Sequence, residues 1–220
     1  MPDAQRAALE QRLDRGLGAL GLTLDERARA RLVDYVELLA RWNRAYNLSA
    51  VRDPEAMVTR HVVDSLAALP WVGDGTLLDI GTGPGLPGIP LAIVRDGLAV
   101  TLLDSNGKKT RFLNQAVMEL GLERCRVVQT RAVDADGEYD MVTSRAFAAL
   151  DEFWRVAAPR LAPEGRALAL KGRYPGDELS ALTGMGVSWR SFPLEVPDLD
   201  AERHLVELTP EPATASPRQN

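Results

Sequence analysis

The chain has 220 residues, of which 45% are hydrophobic and 26% charged, and its net charge is −5 at pH 7. These proportions exclude a wholly disordered, collagen-like or coiled-coil chain, and the length suits one α/β unit with an added element. One cysteine, Cys125, excludes an internal disulfide framework and a cysteine-based zinc site; with only His61 and His204 beside it, no metal is expected. The first residues lack the apolar core of a signal peptide and no apolar run is long enough to span a bilayer, so a cytoplasmic protein without a membrane partner is expected. A general nucleic-acid binder is usually basic, so an RNA partner would have to be met by a local cationic patch.

Residues 3–70 read as helical. Asp25 is an N-cap candidate, and Ala28, Leu32, Val36 and Leu39 follow it at helical spacing. Asp53-Pro54 is a cap and first turn for a second amphipathic stretch through Met57, Val58, Val62, Leu66 and Leu69, which Pro70 ends. The character changes at Gly73. Short apolar runs at Thr76–Ile80, Leu98–Leu103, Arg126–Gln129, Met141–Thr143 and Ala167–Lys171 read as strands, with helices at Lys108–Leu120 and Leu150–Leu161 between them. Alternating helices and continuously apolar strands predict a parallel sheet covered on both faces. A helix at Asp177–Leu182 and extended runs at Val187–Val196 and Arg203–Thr209 follow. The expected division is a helical N-terminal extension (1–72), a sheet domain (73–209) and a disordered, proline-containing tail (210–220).

Asp79-Ile-Gly81-Thr-Gly83-Pro-Gly85 follows the first strand directly, and a helix is expected from near Gly88. The next strand ends at Asp104. In a doubly wound sheet these strand ends are neighbours, and ligands bind outside them; a carboxylate there can take the two hydroxyls of a ribose. The pattern predicts a nucleoside-containing cofactor. It is not the dinucleotide fingerprint, because Leu86 stands at the third glycine place and Pro84 removes an amide; nor is it a phosphate P-loop, which needs Gly-Lys-Ser/Thr. An acid two residues before Gly-x-Gly-x-Gly is the loop of S-adenosylmethionine-dependent methyltransferases.

Further stretches are more specific. Trp42-Asn43, Asn47–Asp53, Arg60-His61 with Asp64-Ser65-Leu66, Leu78–Pro90, Asp104–Lys109, Ser144–Phe147, Leu170-Lys171-Gly172 and Glu202-Arg203-His204 occur in order, and over residues 8–209 the chain resembles the bacterial glucose-inhibited division protein B family, small-subunit rRNA guanine-N7 methyltransferases. The resemblance implies a Rossmann-like class I methyltransferase fold, with a mostly parallel seven-stranded sheet and a helical N-terminal extension. It implies S-adenosylmethionine as cofactor, methyl transfer to N7 of one guanine in 16S rRNA, and 16S rRNA or the small subunit as partner; a monomer is expected. Two departures stand out: Asn106, where the family often has an apolar residue, and Val133, where it often has Glu, a role that Asp134 could take over.

The expected cofactor residues are Asp79, Gly81, Gly83, Gly85, Leu86, Asp104 and the Ala132-Val133 backbone beside adenine. Leu86 is either a contact surface or core. Arg145, after the fourth strand, contacts the site by resemblance, at the methionine carboxylate or at the target guanine. Guanine N7 carries no proton to lose, so positioning is needed and a general base is not. Accordingly His61, Asp64 and Ser65, within one helical turn, read as a polar face. Phe147 either stacks on an extruded base or packs in the core. Lys108, Lys109 and Arg111 open a helix, where cations oppose the macrodipole, so a phosphate-binding role is expected. Lys171, Arg173, Arg203 and His204 would extend that patch. Two rivals remain at this point: a methyltransferase for a small molecule or protein, which the acidic balance favours, and a non-catalytic nucleoside-binding protein.

Overall fold

A computed structural model describes residues 3–212. Helices α1 (Asp3–Ala19) and α2 (Glu26–Tyr46) open the chain. Asp25 caps α2, its side chain accepting from the Ala28 amide at 2.6 Å. Asp53 caps α3 (Pro54–Met57) in the same way. The helix then widens into a π turn at Val58–Val63 before closing as α4 (Asp64–Leu66), four residues short of Pro70. Pro70 sits in a separate 3-10 turn, Leu69–Trp71.

Seven strands follow: β1 (Gly75–Ile80), β2 (Leu98–Leu103), β3 (Cys125–Val128), β4 (Tyr139–Arg145), β5 (Leu161–Lys171), β6 (Val187–Pro193) and β7 (His204–Pro210). Their order is β3-β2-β1-β4-β5-β7-β6. The first five are parallel; β7 runs antiparallel to both β5 and β6. Helices α5 (Gly88–Val94), α6 (Gly107–Glu119), α7 (Leu150–Ala157) and α8 (Gly176–Ser180) connect them. The helix expected to reach Leu161 stops at Ala157. Pro159 has no amide hydrogen with which to continue the helical ladder, a 3-10 turn takes residues 158–160, and Leu161 already belongs to β5.

Two-residue alternation builds two cores. Leu77, Leu102, Met141, Leu168 and Leu205 face one way and join α1, α2, the π turn, α5 and α6 in a single cluster. The N-terminal helices therefore share their core with the sheet across the boundary at Gly73. Leu78, Ile80, Val142, Ala167 and Leu208 face the other way, against α7 and Leu179 of α8. Beside β3 that second face has only a 3-10 turn, Ala132–Asp134, because the connection to β4 is short. A polar side chain covers it: Arg126 donates to Thr101 Oγ1 and to the Tyr139 hydroxyl, both at 2.8 Å.

No helix among the described residues is long and apolar enough to cross a membrane. β7 reaches Pro210, where the tail was expected to begin; residues 213–220 of that tail lie outside the described residues.

Candidate functional site: a glycine loop beside a cationic cavity

The carboxyl ends of β1 and β2 meet as the sequence pattern requires, with Asp79 paired to Leu102 and Ile80 to Leu103. Asp79 is fully buried. Its Oδ2 accepts from the Thr82 hydroxyl at 2.5 Å and from the Gly88 amide at 2.8 Å, which closes the loop onto the start of α5. Its Oδ1 is buried with no partner. Burial pushes the Asp79 carboxyl up to about 7, against the opposing pull of those two hydrogen bonds.

Asp104, also buried, points into the loop. Oδ2 accepts from the Gly83 amide at 3.0 Å and Oδ1 from the Asn106 amide at 2.9 Å. Gly83 has φ +61, and a Cβ there would meet nothing nearer than a backbone oxygen at 3.9 Å. It presents bare backbone to open space, as a close-fitting ligand needs. Gly85 differs: at φ +95 a Cβ would strike Ile89 and Leu113, so this glycine serves packing within the fold. Leu86 is buried in the first core cluster and acts as core. The loop is also held from below. Buried Tyr35 of α2 donates its hydroxyl to the Pro84 carbonyl at 2.8 Å, and burial raises its pKa, keeping it a donor.

The residues fit the predicted cofactor. Asp79 Oδ1 is an orphaned acceptor suited to an ammonium, and Asp104 Oδ1, which accepts from one amide only, keeps a lone pair for a hydroxyl beside an unobstructed backbone. Ala132 and Val133 follow the end of β3, and the Val133 carbonyl is anchored by Arg160 at 2.8 Å. Asp134 is turned to Arg131, at 2.7 Å. Phe147 is half-buried against the second core cluster and lies over Gly81, where its ring edge is 2.9 Å from the place a Cβ would take.

Three of the expected RNA-side residues converge with Arg145. Arg145, Lys171, Arg203 and His204 line one cavity of about 290 Å³, together with Asp64, Ala146, Leu170, Gly172 and Leu194. It sits at the carboxyl edges of β4 and β5 and the start of β7, next to the glycine loop in sheet order. His204 Nδ1 is buried there without a partner. The Lys171 ammonium is already engaged, donating to Glu178 Oε2 at 2.6 Å and to the Ala148 carbonyl at 2.7 Å. It therefore fastens the segment that carries Phe147. Arg173 is exposed on the following loop and does not line the cavity.

The α6 cations stand apart, across β1. Asn106 caps α6 by accepting from the Lys108 amide at 2.9 Å, which gives that departure from the family pattern a local role. Lys109 turns back to Asp104 Oδ2 at 3.3 Å, so a local ion pair accounts for it and the phosphate role expected for it is not needed. Lys108 and Arg111 are exposed.

The polar face read at His61, Asp64 and Ser65 is a correction: all three are buried. They form no triad, because each points elsewhere. His61 Nε2 meets Ser49 Oγ at 2.7 Å and its Nδ1 meets the Arg60 carbonyl at 2.9 Å. Burial lowers its pKa to about 4, so the ring is neutral at pH 7. Asp64 reaches Arg145 and Arg203. Sequence reasoning missed Tyr35, Thr82 and Glu178 altogether. Asp64 carried one signal, an acid inside the otherwise apolar run Val62-Val63-Asp64-Ser65-Leu66. Among the described residues no group of three or more His, Cys, Asp or Glu could hold a metal ion.

The fold is shared with solved methyltransferases. The glycopeptide N-methyltransferase MtfA in complex with S-adenosyl-L-methionine superposes with a TM-score of 0.60 at 13% identity, over 69% of this chain and 87% of its own. The precorrin-6y C5,15-methyltransferase of Geobacter metallireducens gives 0.54 at 14% identity, over 76% and 92%. With this sheet order, glycine loop and strand-end acid, the chain is an S-adenosylmethionine-dependent methyltransferase by class. The family described as rRNA small subunit methyltransferase G matches residues 28–206. Ribosomal RNA small subunit methyltransferase G of Stenotrophomonas maltophilia (strain K279a) is 50% identical over 211 residues, 95% of this chain and 97% of its own length. The protein of that name from Alkalilimnicola ehrlichii is 50% identical over 210 residues, 94% and 96%. The chain belongs to this family.

Proposed function

We propose that the protein transfers a methyl group from S-adenosylmethionine to N7 of one guanine in 16S rRNA, in the cytoplasm, as a monomer. The observation that carries this reading is the juxtaposition of two unlike features on one sheet edge: a glycine loop with two buried carboxylates at the ends of β1 and β2, and a guanidinium-lined cavity at β4, β5 and β7. Family membership supports the RNA substrate; the resemblance of the sequence motifs supports the N7 position.

When bound, S-adenosylmethionine supplies an electrophilic methyl carbon on a sulfonium. Asp104 would hold the ribose hydroxyls and Asp79 Oδ1 the methionine ammonium, which would draw the raised Asp79 carboxyl into its ionised form. The Gly83 backbone allows close approach, and the Ala132-Val133 turn lies where adenine would rest. Guanine N7 attacks through its lone pair, so no residue need accept a proton. The rate gain this chain can supply is alignment of the two reactants and exclusion of water. Arg145 and Arg203 would take guanine O6 or a flanking phosphate; donation to N7 itself would block the reacting lone pair. Phe147, over Gly81 and next in sequence to the cavity-lining Ala146, would stack against the base. A single chain carries every one of these groups, which supports a monomer.

The test compares 16S rRNA from a deletion strain and its parent by primer extension after N7-specific cleavage. Loss of one N7-methylguanine, restored by the cloned gene, is expected. Its persistence in the deletion strain would reject the assignment and leave a small-molecule or protein substrate.

A further inference from the structure

Asp64 belongs to the N-terminal helices, yet its carboxylate reaches the cavity and is shared between two arginines. Oδ2 accepts from Arg145 Nη1 at 2.9 Å, and Oδ1 accepts from Arg203 Nε at 2.7 Å. The three residues lie far apart in the chain: Arg145 is 81 positions from Asp64, and Arg203 is 139. The carboxylate is buried; the two arginine side chains are 20% and 25% exposed, so each keeps a face open to the cavity.

The π turn creates this arrangement. In an α-helix the Asp64 amide would bond to the Arg60 carbonyl. Here it bonds to the Thr59 and His61 carbonyls instead. The freed Arg60 carbonyl accepts from Arg145 Nη1 at 3.0 Å and meets His61 Nδ1 at 2.9 Å. One extra residue in the turn thus supplies a backbone acceptor for Arg145 and directs the next side chain, Asp64, at both guanidinium groups; such turns are frequent at functional sites. Arg203 Nη1 is held in addition by the Glu202 carbonyl at 2.7 Å. Among the described residues, Arg145 Nε and Nη2 and Arg203 Nη2 have no acceptor. Two cations and one anion leave a net positive charge with fixed, unspent donors, the complement of a phosphate or a carbonyl oxygen. Without the carboxylate, the two guanidinium groups would repel each other and be free to swing toward water.

We propose that Asp64 is a positioning residue: with the π turn it sets Arg145 and Arg203 side by side as one RNA-facing clamp, so the N-terminal helices govern how the rRNA is seated. This rests on the reading of the cavity as the RNA site. The experiment uses the full chain and small ribosomal subunits from a deletion strain, with donor affinity measured by calorimetry alongside steady-state methylation. Asp64→Asn is expected to raise KM for the subunit tenfold or more while changing donor affinity less than twofold, and Asp64→Glu to recover most of that loss. Adding Asp64→Asn to an Arg145→Gln, Arg203→Gln double variant is expected to raise KM no further; this arm also serves if Asp64→Asn alone fails to fold, since it strands no arginine. If both arginine variants raise KM but Asp64→Asn does not, or if its effect adds fully to theirs, the positioning role is overturned. If the arginine variants leave KM unchanged, the cavity is not the RNA site and the reading beneath the proposal fails instead.

Discussion

The two halves of the site are built in opposite ways. On the side proposed for the donor, backbone amides do most of the holding: the Gly88 amide and the Thr82 hydroxyl grip Asp79, and the Gly83 and Asn106 amides grip Asp104. Every one of those partners lies within about a strand and a helix of the others. On the side proposed for RNA, charged side chains from β4, from the segment before β7 and from the N-terminal helices meet around one carboxylate. The first construction buries its carboxylates, where salt screens little. The second is open to solvent on one face, where ionic strength screens its reach. A donor that must be gripped identically every turnover suits the first, and a polyanion that must arrive and leave suits the second.

The sharpest break of that comparison is at the glycines. Gly85→Ala forces a positive φ on a residue whose Cβ meets Ile89 and Leu113, and should cost about 2–4 kcal/mol of stability. Gly83→Ala carries only the backbone strain, about 1–2 kcal/mol, but should weaken donor binding more than Gly85→Ala does. Chemical denaturation and calorimetry together separate the two; equal stability losses would mean that Gly85 is not a packing position.

His61 offers a test by pH. Its folded-state pKa is lowered from 6.5 to about 4, so the fold refuses a proton that the unfolded chain accepts. The stability this gives is full above 6.5 and is lost as pH falls from there toward 4, by about 3 kcal/mol at most. His61→Gln should flatten that part of the stability profile; an unchanged acid limb would show that other groups produce it.

Asp104→Ala should weaken donor binding by about 1.5–3 kcal/mol, the worth of hydrogen bonds to a charged group, or roughly ten- to over a hundredfold. Affinity within twofold of the parent would remove Asp104 from the donor site. Tyr35→Phe should cost about 1 kcal/mol in stability and only a few-fold in donor affinity, because it leaves one loop carbonyl without its donor. The smallest effect is expected at α6: Lys108→Ala with Arg111→Ala should leave donor affinity unchanged and lower the salt slope of RNA binding by roughly one per lost phosphate contact. An unaltered slope would confine RNA contact to the cavity side.

Residue order alone determined the parts of this protein that depend on neighbours. The caps at Asp25 and Asp53, the strand runs, the turn of Asp79 to Gly85 and the acid at Asp104 are legible because strand, loop and helix form within a few residues, and a doubly wound sheet then sets the ends of β1 and β2 side by side. Identical or like-charged residue types carried different roles that only the assembled chain could separate. Lys109 pairs with Asp104 while Lys108 faces solvent; Gly85 packs while Gly83 stays bare; Lys171 locks to Glu178 while Arg145 and Arg203 keep donors open to the cavity. Asp64 belongs wholly to that second class. Its partners come from distant parts of the chain, and a π turn aims it, so no local pattern encodes the contact; desolvation and the pairing of buried charge decide it once the helices close on the sheet.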